Sequence, residues 1–163
     1  MQQDRRNFLK FTGAVGTGLV LNSLGSSSLF AAETAKPLTH FGIQLYTLRD
    51  LIPGDPKGLL KQLASFGYNQ IESYEGANGM FWGMGHTGFK SYMDELGMKI
   101  ISSHCDITKD FEKKAAEAAE IGMKYLICPW KGPQKSLDDF KRFADEFNQK
   151  GEICKKNGIR FAY

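Results

Sequence analysis

The sequence has little excess charge of either sign. Its 163 residues carry a formal net charge of +3 at pH 7. Arg5, Arg6, Lys10 and Asp4 account for +2 of this charge, which leaves +1 for residues 33–163. A protein that binds nucleic acid or an anionic membrane through its charge presents a strong basic patch. We therefore expect neither nucleic acid nor a charged membrane surface as a partner.

Cysteine is scarce as well, and the chain contains only Cys105, Cys128 and Cys154. An odd number of cysteines at wide spacing matches neither a zinc-ligand motif nor a disulfide framework. At least one thiol has to stay unpaired even in an oxidising compartment. We predict that these residues are small buried hydrophobic side chains.

The sequence also lacks an apolar run of the ~20 residues that a membrane-spanning helix needs. Its N-terminal apolar stretch, residues 11–24, is shorter than that and contains glycines. The stretch follows the adjacent pair Arg5 and Arg6 and leads into small residues at 26–32, which is the layout of a secretory signal. Paired arginines ahead of a weakly apolar run are typical of the twin-arginine route. We predict a twin-arginine signal peptide at residues 1–32, the twin-arginine translocase as a partner, and a periplasmic or otherwise exported protein.

After a linker at residues 33–40, short β-like runs alternate with amphipathic helical stretches. Strands are predicted at residues 41–47, 69–74, 98–104 and 124–129 and from residue 158 onward. Helices are predicted over about residues 59–66, 89–96, 110–121 and 136–156. Each helix ends at a glycine, and Ser136 with Asp139 predicts a cap for the last one. Regular alternation of this kind indicates a parallel sheet.

The predicted strands are not uniformly apolar, as they would be in a sheet that helices cover on both faces. Gln44 and Tyr46 alternate with apolar residues in the first strand, and Ser102 and His104 do so with Ile101 and Ser103 in the third. No glycine-rich phosphate loop follows the first strand, which argues against a nucleotide-binding doubly wound sheet. Polar inward positions near strand ends are typical of a barrel whose mouth binds a ligand. We predict an α/β fold, a parallel (β/α) barrel of the TIM type truncated to about four and a half β/α units.

Five segments of the chain carry a resemblance to a known family. They are GIQLYTLRD at residues 42–50, GYNQIE at 67–72, SSH at 102–104, KYLICPW at 124–130 and GIRFAY at 158–163. In this order they resemble the first five strands of the xylose-isomerase-like TIM barrels known as sugar phosphate isomerases/epimerases. The resemblance implies that residues 41–163 form the N-terminal half of such a barrel. Exported members with a twin-arginine leader also occur in this family.

The resemblance implies a carbohydrate isomerase or epimerase. Such enzymes move a proton at a carbon next to a carbonyl, with a divalent metal that polarises the oxygens and carboxylates that act as acid and base. The family's metal ligands (two Glu, an Asp and a His) lie on later strands than those in this chain. We therefore expect a divalent metal (Mn, Mg, Co or Zn) in the full-length protein and none bound by this chain alone, and we assign no catalytic or metal-binding residue.

Four residues on the predicted inner face of the strands or just beyond their ends are candidates for binding a sugar or keto-sugar. Tyr46 and Trp130 would offer aromatic faces and a hydroxyl, and His104 would bond a substrate hydroxyl. Glu72 is costly to bury unpaired, so we expect it to meet a polar ligand or a cation such as Arg49. For each residue, packing without function is the alternative.

The glycine-rich segment at residues 76–88 contains a second set of aromatic candidates. Phe81 and Trp82 would form either a lid over the site or an exposed hydrophobic loop tip. Asp106, just beyond the third strand, is expected to be a helix cap or a solvated loop residue.

Several functional alternatives stay open at this level. An inosose-dehydratase-like lyase would begin with the same proton abstraction. A non-catalytic sugar-binding module or an inactive fragment would leave the chain without enzyme activity. The endonuclease branch of the superfamily is disfavoured by export and by the near-neutral charge. Because a half barrel has two unpaired sheet edges, we also expect a homo-oligomer or an aggregate rather than a monomer.

Overall fold

The computed structural model describes residues 38–163. The predicted signal peptide and residues 33–37 of the predicted linker lie outside the described residues, so both stay predictions. The strands are β1 Gly42–Gln44, β2 Gln70–Tyr74, β3 Lys99–His104, β4 Tyr125–Ile127 and β5 Arg160–Ala162. The helices are α1 Pro56–Ser65, α2 Gly85–Glu95, α3 Phe111–Glu120 and α4 Leu137–Lys156, and a 3-10 helix spans Leu45–Leu48.

The five strands form one parallel sheet in the order β1-β2-β3-β4-β5. Each strand therefore pairs with its neighbour along the chain, and a helix lies between successive strands. A doubly wound sheet reverses its strand order part-way across, whereas a β/α barrel adds every new strand on the same side. The predicted fold class is confirmed: the chain has the α/β architecture of a TIM-type barrel, with four and a half β/α units.

The two faces of the sheet differ in polarity. Ile71, Ile100 and Leu126 point to one face and are buried at 1%, 3% and 0% exposure in a core with residues of all four helices. Removing such side chains from water stabilises the fold by about 1.5–3 kcal/mol each. The opposite face carries Gln44 and Glu72, which are only partly buried. Helices thus cover one face, and the face that becomes the interior of a barrel stays polar.

A β-bulge sets the register between β2 and β3. Ile71 pairs with Ile100, but Glu72 pairs with Ser102, so Ile101 is the extra residue. A bulge of this kind shifts every later side chain of its strand by one position. The predicted alternation of Ser102 and His104 with Ile101 and Ser103 therefore needs one correction, because Ile101 belongs to the bulge rather than to the regular alternation.

The helix ends follow the predicted rules. Gly67 adopts a left-handed φ of +91° just after α1, a conformation that only glycine takes at low cost. Ser136 caps α4 in a capping box with Asp139, as predicted. Within residues 38–163, no helix combines the length and the apolar character that crossing a membrane requires.

The first strand is shorter than predicted. It ends at Gln44, and the chain continues as the 3-10 helix. The cause is local, because the Gln44 side chain accepts a hydrogen bond from the backbone N–H of Tyr46 and so caps the new helix. Tyr46 therefore lies beyond the strand, and its predicted place within the strand was wrong.

The predicted aromatic lid is also wrong. Phe81 and Trp82 are buried, with 7% and 5% of their surface exposed. The Trp82 indole N–H donates to Ser73 Oγ at 3.1 Å, and that hydroxyl donates to the Met80 carbonyl at 2.9 Å. These bonds to β2 hold the segment in the core, so it is neither a lid nor an exposed loop tip.

The cysteines are buried, with 3%, 4% and 0% exposure for Cys105, Cys128 and Cys154, as predicted. Burial raises the pKa of the Cys105 thiol to about 12 and that of the Cys154 thiol to about 11. Burial also raises the pKa of Cys128. The thiolate, which is the reactive form, is therefore rare at neutral pH.

We expect iodoacetamide at about pH 8 to label the folded protein slowly, because roughly one thiol in a thousand or fewer is ionised there at Cys105 and Cys154, and burial also disfavours the thiolate of Cys128. Unfolding in guanidinium should expose the three cysteines and allow three adducts, countable by mass spectrometry. Labelling of the folded protein as fast as that of the unfolded chain would contradict this prediction.

Candidate functional site

Four polar side chains form a hydrogen-bonded row across the first three strands. Gln44, Glu72 and Ser102 occupy one register position, and His104 lies two residues beyond Ser102 on the same face. His104 Nε2 lies 3.2 Å from Glu72 Oε1. Ser102 Oγ donates to Glu72 Oε2 at 2.6 Å, and Gln44 Nε2 lies 3.3 Å from His104 Nδ1. We call these four residues the polar row.

The polar row is accessible to a ligand. The side chains of His104 and Glu72 are 26% and 28% exposed. Ser102 is 5% exposed, so its hydroxyl depends on Glu72 for a partner. The row is therefore ordered by its own bonds while its two titratable members stay in contact with solvent.

Arg49, the cation predicted as an alternative partner for Glu72, contacts Tyr46 instead. Arg49 stacks its guanidinium over the Tyr46 ring, 5.1 Å from the ring centroid, and donates to the Tyr46 carbonyl at 3.2 Å. Glu72 instead meets His104 and Ser102. Arg49 is therefore not the partner of Glu72, and the other alternative, a polar ligand, stays a prediction.

A cavity of about 640 Å³ lies next to the polar row. Three of the four predicted site residues line it, namely Tyr46, His104 and Trp130. Glu72 is not among the lining residues and is connected to the cavity through His104. Tyr74, Cys105, Cys128 and Pro129 also line the cavity, so its wall is largely aromatic and apolar.

The aromatic rim of the cavity is exposed. Tyr46 is 52% and Trp130 is 73% exposed. The Tyr46 ring packs edge to face against Tyr74 at 5.2 Å, and Tyr74 packs in the same way against the buried Trp82 at 4.9 Å. Burial raises the pKa of the Tyr74 hydroxyl, with the neighbouring Tyr46 as a smaller cause. Two exposed rings beside polar side chains are the kind of surface that binds an amphipathic small molecule.

An ion-pair cluster that sequence reasoning missed fixes one wall of the cavity. The Lys114 ammonium lies 2.8 Å from Glu75 and donates to the Asp106 carbonyl at 2.8 Å. Glu75 also accepts from the Asp106 backbone N–H at 2.7 Å. This cluster ties the end of β2 to the loop after β3. Glu75 and Lys114 are 39 residues apart in sequence, so no local pattern could have paired them.

Asp106 is a loop residue in a local turn, in agreement with one of the two roles expected for it. Its carboxylate accepts from the Thr108 hydroxyl at 2.6 Å and from the Thr108 backbone N–H at 2.8 Å. Those bonds, the hydroxyl first, hold the pKa of Asp106 below its usual range. The opposite wall is fixed by Lys131, whose ammonium pairs with Glu146 at 2.6 Å.

The described residues form no cluster of metal-binding side chains. Among residues 38–163, no three His, Cys, Asp or Glu side chains lie close enough together to bind one ion. Glu72 and His104 are bonded to each other, and their other neighbours, Gln44 and Ser102, are uncharged. Zinc sites use three or four protein ligands, so this pair is too small a set for zinc.

No protein-family model and no curated protein matches the chain. Solved structures do match. Two structures of sugar phosphate isomerase/epimerase from Parabacteroides distasonis ATCC 8503 are similar at 28% and 27% identity, with TM-scores of 0.64 and 0.61. The likeness covers 76% and 78% of this chain and 54% and 51% of those chains.

A structure of D-psicose 3-epimerase with D-tagatose from Clostridium cellulolyticum H10 is similar in fold, at 10% identity and a TM-score of 0.57 over 76% of this chain. The matched region is about half of each of these solved chains. The two Parabacteroides distasonis structures therefore resemble this chain in both fold and sequence, and the D-psicose 3-epimerase resembles it in fold alone.

Proposed function

We propose that residues 38–163 form the sugar-binding half of a carbohydrate isomerase or epimerase. The observation that carries this proposal is the polar row beside a cavity with an exposed aromatic rim. The likeness to two sugar phosphate isomerases/epimerases at 27% and 28% identity supports it. The matched region is about half of those chains, so the activity is proposed for the whole protein and sugar binding for the described residues.

The residues of the site match the chemistry of a sugar. A sugar offers hydroxyl groups in its plane and C–H groups on its faces. Glu72 and His104 would bond the hydroxyls, as the polar row presents both on the open face of the sheet. Tyr46 and Trp130 would pack against the C–H faces, because aromatic rings combine an apolar body with a polar tip or edge. These four residues are the proposed substrate-binding set.

In the proposed reaction a proton is removed from the carbon next to the sugar carbonyl and returned at a new position or on the other face. A divalent metal (Mn, Mg, Co or Zn) is part of the proposal for the whole protein and would polarise the sugar oxygens. The described residues form no site for it, so their proposed part is to bind and orient the sugar.

Sugar binding is testable with the exposed tryptophan. The chain has two tryptophans, of which Trp130 is 73% and Trp82 is 5% exposed. We expect D-fructose or D-tagatose, which are ligands of fold relatives, to protect Trp130 from acrylamide quenching. Trp130→Phe should remove that fluorescence signal, while calorimetry should still detect weaker sugar binding. Leu137→Ala is the matched control, because Leu137 is an exposed apolar residue outside the cavity.

The same titrations separate the candidate functions. Binding together with formation of an isomer after addition of Mn²⁺, Co²⁺ or Mg²⁺ supports the isomerase or epimerase, and loss of water from the substrate would assign the lyase instead. Binding without turnover at any of these metals favours a non-catalytic sugar-binding module, which the small ligand set among residues 38–163 also fits. Absence of binding by any sugar or keto-sugar would refute the proposal.

We also propose that the chain is exported to the periplasm by the twin-arginine translocase. The supporting observation is the sequence of residues 1–32, with Arg5 and Arg6 ahead of a weakly apolar run. Exchange of both arginines for lysine should keep a fused reporter in the cytoplasm. Homo-oligomerisation stays a proposal that rests on the free edges of β1 and β5 in the described sheet, and a monomer by light scattering would contradict it.

A further inference from the structure

We infer that Gln44 is a positioning residue that fixes His104 in the tautomer with its proton on Nε2. This inference rests on the proposed function, since it states how the polar row is prepared for a sugar. Its evidence, however, is the hydrogen-bond chain itself, and its first test needs no sugar. This series of hydrogen bonds leads from the Tyr46 backbone through Gln44 and His104 to Glu72.

The Tyr46 backbone settles the orientation of the Gln44 amide. A backbone N–H can only donate a hydrogen bond, so the Gln44 atom that faces it must be the carbonyl oxygen Oε1. The same bond caps the 3-10 helix. The oxygen and nitrogen of the Gln44 amide are thus assigned by the Tyr46 N–H, which can only donate.

The Gln44 amide then settles the tautomer of His104. With Oε1 bound to the backbone, Nε2 of Gln44 faces His104 Nδ1 at 3.3 Å. An amide nitrogen is a donor only, so Nδ1 must supply a lone pair and carry no proton. In a neutral imidazole the proton then lies on Nε2, which is directed at Glu72 Oε1 at 3.2 Å.

The last group in this series of hydrogen bonds is the Glu72 carboxylate. Glu72 accepts from His104 at Oε1 and from Ser102 Oγ at Oε2, at 3.2 Å and 2.6 Å. A carboxylate can accept about four hydrogen bonds, and these neighbours use two. The free positions of Glu72 can only accept, so they suit a sugar hydroxyl and not a carbonyl oxygen. Gln44 therefore acts on the ligand through two other residues.

The tautomer can be measured directly by long-range ¹H–¹⁵N NMR on protein labelled in histidine, at about pH 8, above the ordinary pKa of histidine. The chain has three histidines, and His104→Gln identifies the signal of His104 by its loss. We expect the pattern of an imidazole protonated on Nε2. A His104 protonated on Nδ1 in the unchanged protein would overturn the inference.

Gln44→Glu tests the cause. A carboxylate at this position still accepts from the Tyr46 N–H but presents an acceptor to Nδ1, so His104 should gain a proton on Nδ1. Gln70→Glu is the matched control. Gln70 precedes Glu72 by two residues and lies on the same face of β2, and it has no contact with His104 among the described hydrogen bonds. An unchanged Nε2 pattern in Gln44→Glu would also overturn the inference.

Sugar affinity separates this inference from the proposed function. Gln44→Glu should weaken sugar binding by roughly tenfold, since the added charge and the changed proton position at His104 alter the hydrogen bond that Glu72 accepts, while Gln70→Glu should bind as the unchanged protein does. If no sugar binds at all, the proposed function fails while the NMR result still decides the role of Gln44. If sugar binds equally well to both variants despite a changed tautomer, Gln44 does not act on the ligand.

Discussion

Exchange of Glu72 for glutamine should weaken sugar binding by about 10- to 100-fold. Glu72 is the charged acceptor of the polar row and contacts two neighbours at once, His104 at 3.2 Å and Ser102 at 2.6 Å. Hydrogen bonds to a charged group contribute about 1.5–3 kcal/mol, and the amide loses both the charge and one acceptor. The change keeps the size of the side chain, so the fold should be retained.

Glu95→Gln is the control for that experiment. Glu95 is exposed at the end of α2 and forms no ion pair among the described residues, so its exchange alters the net charge equally without touching the polar row. Calorimetric titration of both variants with the same sugar measures the difference. Equal affinity of Glu72→Gln and Glu95→Gln would remove Glu72 from the site.

Replacement of Phe111 by alanine should destabilise the domain by about 3–5 kcal/mol, the usual loss for a large buried aromatic side chain. Phe111 is 1% exposed at the start of α3. Its ring packs edge to face against Phe161 of β5 at 5.9 Å, and the Lys150 ammonium lies 5.0 Å from its centroid. The ring therefore joins α3, α4 and the last strand of the sheet.

A domain of this size is stable by about 5–15 kcal/mol, so a loss of that magnitude is a large part of the total. Urea unfolding followed by circular dichroism measures it. Phe140→Ala provides the comparison, because Phe140 is 59% exposed on α4 and its loss should stay within about 0.5 kcal/mol. If the two substitutions lower the free energy of unfolding equally, the packing of Phe111 has been misjudged.

The fold was predictable because its signals are local. The alternation of Ile71 and Ser73 with Glu72 and Tyr74 follows the period of two that a strand with one buried face requires. The helix ends were predictable for the same reason, since the glycine at residue 67 and the cap at Ser136 act within one turn. Strand order followed from the alternation of elements together with the polar face.

The site was predictable only in part, because its bonds join residues far apart in sequence. Gln44 and His104 are 60 residues apart, and Glu75 and Lys114 are 39 apart. The β-like pattern of residues 41–47 placed Tyr46 in a strand. In the structure, the Gln44 side chain caps a 3-10 helix at this point, and that local hydrogen bond competes with the strand. Trp82 was predicted to lie either in a lid or at an exposed loop tip, because the glycine-rich sequence around it gives no sign of a burial that depends on Ser73 of β2.

The bulge in β3 has a consequence for comparing this chain with its relatives. Because Ile101 has no pairing partner on β2, the side chains after it point to the face opposite to the one that simple alternation from Ile100 would give them. A strict odd-and-even assignment carried forward from Ile100 would place His104 on the helix-covered side and Ser103 on the open side. Deletion of this single residue in a relative would leave Ser102 and His104 on the open face but bring them one residue nearer to the start of the strand. A structure-based alignment should therefore match them by the Glu72 that they contact rather than by their distance from the start of the strand.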